Sequence, residues 1–220
     1  MKRLVQIVVI ALCASCKCAD GDSLNVPHVE DGFRWPDVKT VAEFRDTAVS
    51  DNEVAVKSVW TVDSLYFLFS VLDSDLRCRQ METDHPKLYL DDMVEFLIDT
   101  RNDHGELWLE DDIIYHINLF GYKKDDRGTP EGVSNPKWNG SARYAIYVHG
   151  TINDSSDIDE GYEVEVALPW TEIGVTPDRG LVLGVDFACG DDDGTGRQLF
   201  DLAGASPFRS PSAFRRLVLS

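Results

Sequence analysis

Residues 88–99, LYLDDMVEFLID, decide how the rest of the chain is read. In their second half Val94, Phe96 and Ile98 fall on one side of an extended chain while Glu95 and Asp99 fall on the other. That is the two-residue period of a strand with one buried face. Glu95 is therefore expected on the side away from the core. Tyr89 stands just upstream, with Asp91 and Asp92 between it and the strand, so one short segment carries a ring and several carboxylates. Such a segment serves as a ligand platform or as an ordinary strand with a solvated face.

Working outward, residues 54–60 and 65–72 are rich in Val, Phe and Tyr, and Val62-Asp63-Ser64 between them reads as a hairpin turn. Residues 113–120 form another strand. On it His116 and Asn118 share a face with Ile114 and Phe120; beside the Glu95 strand, that face gathers a carboxylate, an imidazole and an amide. Residues 123–138 read as a polar loop, 142–149 and 162–168 as alternating strands, 181–188 as a buried strand and 214–219 as the last one. Pro169-Trp170-Thr171-Glu172-Ile173-Gly174 looks like one helical turn stopped by Gly174. Many short strands without helical periodicity make an all-β class, an antiparallel β-sandwich of jelly-roll or immunoglobulin-like type with little helix.

The chain has 220 residues, 43% of them hydrophobic, enough for one sandwich-sized domain. A formal charge of -18 with no Lys/Arg cluster argues against gripping nucleic acid or an anionic membrane surface. Lys2 and Arg3 precede an apolar run, Leu4 to Leu12, too short to span a bilayer but suited to an export signal. Small residues directly before Cys16 resemble a bacterial lipobox, although Cys13 stands where Leu or Val is usual. The expectation is a signal peptide over 1–15, a lipidated tether over 16–29 and a domain over 30–220, on a membrane-anchored, periplasmic or cell-surface lipoprotein; simple secretion is the alternative. Cys78 and Cys189 either pair or remain buried thiols.

Enzyme templates fail one by one. There is no Gly-x-Ser-x-Gly elbow, no His-Glu-x-x-His, no phosphate-cradling glycine loop and no dinucleotide fingerprint. Asp91/Asp92 and Asp111/Asp112 are sequence neighbours, which strands point opposite ways, so they are poor acid/base partners. Asp191 and Asp193 have the oxygen density of a calcium site without the full twelve-residue loop. Haem is the other cofactor considered, with Met81, Met93, His85 and His116 as ligands, none in a distinctive pattern. Trp60 and Trp170 read as core, Trp108 and Trp138 as exposed.

The motifs come in a recognisable order: Asp31-Gly32, Val59-Trp60 with Leu65-Tyr66, Asp92-Met93-Val94-Glu95-Phe96-Leu97-Ile98-Asp99, and Asp111-Asp112 leading to His116-Ile117-Asn118. Gly161-Tyr162-Glu163-Val164-Glu165 with Pro169-Trp170, Gly184-Val185-Asp186-Phe187 and residues 207–219 follow. In this the chain resembles a family 9 carbohydrate-binding module, a β-sandwich of the wider DOMON-like group, over residues 30–220. The resemblance implies two rings that sandwich a terminal sugar, at the positions of Tyr89 and Phe208, and polar positions at Glu95, His116 and Asn118. The family carries tryptophans where Tyr89 and Phe208 stand, an arginine at His116 and an asparagine near Ala205.

The expected function is thus non-catalytic binding of a carbohydrate chain end. A lipoprotein module that kept the fold but works through protein contacts is the first alternative, and a haem-binding electron carrier the second.

Overall fold

The alternating apolar positions become the inner faces of two packed sheets. The computed structural model describes residues 23–194, 196–204 and 208–220. The expected signal peptide, Cys16, Ala205 and the start of the 207–219 motif lie outside them.

The smaller sheet runs β2 (Thr40–Phe44), β3 (Glu53–Trp60), β4 (Ser64–Leu72), β10 (Gly161–Pro169), β9 (Arg143–His149), all antiparallel. The larger sheet runs β1 (Ser23–Val26), β13 (Arg215–Leu219), β11 (Val182–Asp191), β5 (Met93–Asp99), β6 (Asp112–Asn118), β7 (Lys123–Gly128), β8 (Ser134–Asn135), with β12 (Gln198–Asp201) also paired to β11. Its pairs are antiparallel except β1 with β13.

Inward-pointing Phe67 and Phe69 of β4 meet Phe187 of β11 edge-on, and Phe67 lies 5.6 Å from the ring of Phe96 on β5. Phe96 stacks on Tyr115 of β6 at 4.8 Å. With Val54, Val56, Val94, Ile98, Ile113, Ile117, Val164 and Val166 these form one continuous core. Trp60 and Trp170 belong to it, as expected. Trp170–Ile173 is the one α-helical turn among the described residues, ended by Gly174 at φ 67°, a backbone conformation that glycine adopts without strain.

Several expectations change here. Ser23–Val26, expected within the tether, is a strand on the edge of the larger sheet. The polar loop 123–138 contains β7 and β8, because Lys123–Arg127 pairs with Ile113–Ile117 of β6 although its side chains are charged. Trp108, expected exposed, is buried, and Trp138 packs against the core edge-on to Tyr115. No helix among the described residues is long and apolar enough to cross a membrane.

Candidate functional site

Strand register carries the candidate residues to the outward face of the larger sheet. Glu95 stands opposite His116 and Ala188, Leu97 opposite Ile114 and Asp186, and on β7 Lys124 and Asp126 continue the rows of His116 and Ile114. The segment after β5 and the C-terminal loop fold over this face. Leu97, Trp108, Ile114 and Phe214 make a second buried apolar cluster, separate from the sandwich core, with Phe208 packed against it. Glu95 faces away from the core, as the strand period requires, and is nonetheless 0% exposed.

A carboxylate without water needs positive partners. His116 Nδ1 lies 3.1 Å and Arg197 Nη2 2.9 Å from Glu95 Oε1. Burial works against the charge on Glu95, but the attraction of His116 and then of Arg197 outweighs it and holds the carboxyl below its ordinary range. The guanidinium of Arg197 also lies over the ring of Tyr89, 5.3 Å from its centroid. Arg197 thus joins ring to carboxylate. Sequence reading passed over it, since it closes an acidic glycine-rich loop 102 residues from Glu95; its one signal was being a lone cation there.

Tyr89 is held in a 3-10 turn, Leu88–Leu90, by its fully buried neighbour Leu88, and is itself 39% exposed. Phe208 packs against the cluster that Leu97 and Ile114 form with Trp108 and Phe214. Glu95 and Leu97 alternate on one strand, so the two rings reach the same sheet face. Further along it, the Arg209 guanidinium covers Trp108 at 4.3 Å and makes two bonds to Asp126, at 2.7 and 3.1 Å, while Trp108 Nε1 donates to the same carboxylate.

Asn118 shares the face but not the opening. It is fully buried, its amide donates to the Gln80 carbonyl and to Asp91, and its oxygen accepts from the Tyr122 N–H. It braces two loops and has no donor left for a ligand. Asp91, Asp92, Asp111 and Asp112 are likewise buried. Asp91 accepts from the N–H groups of Arg79 and Gln80, Asp92 from those of Arg77 and Asp192, and Asp112 from that of Leu109. Satisfying loop backbone is why these carboxylates go inside. Cys78 and Cys189 are free buried thiols, Cys189 beside the Tyr162 hydroxyl, which removes the paired alternative. Of the haem candidates, Met93 is fully buried, Met81 is exposed and His116 is held by Glu95.

At one end of the sandwich Asp73, Asp92 and Asp191 bring oxygens within 4.8 Å of one another, and Asp51 and Asp193 form a second trio with Asp191. Burial pushes Asp73 up to about 7, Asp92 up to about 9 and Asp191 up to about 6, with neighbouring carboxylates adding to the rise. Asn52 donates to Asp73, and Ser50 to Asp191, yet Asp191 Oδ1 and Asn52 Oδ1 are buried without partners among the described residues. An all-oxygen, charge-dense set with spare acceptors fits a hard divalent cation, calcium by donor type. Asp191 and Asp193 were legible from sequence; Asp92 comes from the bend that leads into β5.

A family model described as "Carbohydrate family 9 binding domain-like" matches residues 31–220. Endo-1,4-beta-xylanase A of Thermoanaerobacterium saccharolyticum is 28% identical over 168 residues, 74% of this chain, which spans only 12% of that protein's length. Two solved structures of a carbohydrate-binding module family 9 from Caldicellulosiruptor kristjanssonii share the fold. The one in complex with cellotriose has TM-score 0.68 and 19% identity, covering 90% of this chain and 93% of that one. The one in complex with glucose has TM-score 0.65 and 20% identity, covering 90% and 95%.

Proposed function

We propose that this chain, which belongs to the carbohydrate family 9 binding domain-like family, binds a saccharide chain end without catalysing a reaction on it. The carrying observation is that Arg197, which lies over the ring of Tyr89, pairs with Glu95 beside His116, while Phe208, 119 positions beyond Tyr89, packs on the Leu97, Trp108, Ile114 and Phe214 cluster of the same sheet face. Aromatic faces accept the C–H faces of a pyranose, and a fixed polar cluster beside them orients hydroxyls. The family is a non-catalytic binding module, and the structural neighbours hold cellotriose and glucose.

Titration calorimetry against a broad panel of oligosaccharides tests this. Wild type is expected to bind at least one, and Tyr89→Ala and Phe208→Ala are each expected to weaken that binding about tenfold or more, the size of one lost aromatic contact of about 1.5 kcal/mol. Unchanged affinity in both variants removes the two-ring reading.

The buried Asp73, Asp92 and Asp191 set is read as a structural calcium site. Its ion would tie the ends of β4 and β11 to the start of β5, the strand that carries Glu95. It supplies rigidity, not chemistry.

Export and lipid anchoring at Cys16 belong to the same reading, supported by Lys2, Arg3, the apolar run and the small residues before Cys16. In a bacterial host the protein is expected in the membrane fraction, and Cys16→Ala is expected to release it. Equal fractionation of the two proteins would contradict the anchor.

A further inference from the structure

We propose that the saccharide is acidic, a glycan containing hexuronic acid residues, and that Arg197 is the residue that selects it. This deepens the carbohydrate reading above and rests on it.

In a chain of formal charge -18, the cover of this face is inverted: the carboxylates lie beneath and the cations above. Glu95 is 0% exposed, while the Arg197 side chain paired with it is 23% exposed. Asp126 is 7% exposed at its side chain, while Arg209 over it is 26% exposed. Lys124, half-buried, stands across from His116 in the same row. Each guanidinium lies over a ring, Arg197 over Tyr89 and Arg209 over Trp108. The arginines are the more exposed partner of each pair, so an approaching ligand meets them before it meets the acids that anchor them.

The consequence for ligand chemistry is specific. A neutral pyranose stacks on bare aromatic surface, and here one face of Tyr89 is occupied by a cation. A carboxylate on a sugar ring turns that occupied face into the recognition element, because guanidinium binds carboxylate through paired N–H donors. Arg197 has capacity left for this. Among the described residues only its Nη2 is engaged with Glu95, and its Nε has no partner. Glu95 Oε2 is also buried and unpartnered, so the cluster is not closed on itself. The two anchors add a length. Glu95 and Asp126 lie two strands and two residues apart, roughly 12 Å at about 4.8 Å between strands and about 3.4 Å per residue. That spacing exceeds a single sugar ring and suits an oligosaccharide that carries more than one carboxylate.

Calorimetric titration with short oligomers of galacturonic and of glucuronic acid, each beside its methyl ester, tests this. The ester keeps shape and hydroxyls and removes the charge. At least one free acid is expected to bind about tenfold or more tighter than its ester, with the difference shrinking as salt rises. Arg197→Gln is expected to bring the acid-to-ester ratio to about one, and Arg197→Lys, which keeps charge but not the fork, to recover only part of it. Melting curves of both variants show that they are folded, and the ratio is internal to each protein, so an overall loss of affinity does not mimic the result. Esters or neutral oligosaccharides that bind as tightly as the acids overturn the inference and leave the carbohydrate reading standing. A panel in which no saccharide binds overturns both.

Discussion

Saturating calcium is expected to raise the melting temperature of the chelator-treated protein by about 6–10 °C. The figure comes from linkage: an ion present at a hundred times its dissociation constant stabilises the folded state by about 2.7 kcal/mol, and a domain of this size gains about 2–4 °C per kcal/mol. The physical source is the cost of three carboxylates gathered within 4.8 Å in a buried pocket. Burial already pushes all three upward in pKa. A divalent cation neutralises that repulsion and takes up the spare oxygens of Asp191 and Asn52. Asp73→Asn keeps the size of the side chain and removes one of the charges, so the calcium response is expected to fall by more than half. Magnesium, which holds its waters and demands a stricter octahedron, is expected to do less than calcium. Melting curves that coincide in calcium and in chelator would remove the site.

Glu95→Gln is expected to cost about 3 kcal/mol of stability and to abolish measurable saccharide binding. The substitution keeps shape and deletes charge, which leaves the part-buried guanidinium of Arg197 and the imidazole of His116 against a buried neutral amide. Removing one partner of a buried pair typically costs about 3–5 kcal/mol, because the remaining charge is stranded. The isosteric amide retains one acceptor, which places the expectation at the lower end. Arg197 is only partly buried and leaves toward solvent, taking its contact with Tyr89 with it. Denaturant unfolding measures the first effect and calorimetry the second. A variant that unfolds at the wild-type midpoint would show that the Glu95, His116 and Arg197 cluster contributes nothing to the cover of this face.

The separation between what the chain announces and what it conceals follows the range of the forces involved. Alternation over residues 94–98, the aromatic and β-branched runs that become β3 and β4, and the Gly174 stop are local, so the sandwich was legible from them. Tyr89 and Glu95 were legible for the same reason, since one short segment carries both. β7 was not, because charged Lys123–Gly128 is made a strand by its pairing to β6 rather than by its own residues. Asn118 was placed on the correct face, but what its amide bonds to depended on Gln80, Asp91 and Tyr122. The strand period determined which way each side chain points. Only tertiary structure decided whether water waits there, because Trp108, Phe208 and Phe214 come from distant loops to cover the Leu97 and Ile114 row, and the segment between β11 and β12 brings Arg197 to Glu95. Periodicity is a property of neighbours along the chain, whereas burial and charge pairing are set by segments a hundred residues away.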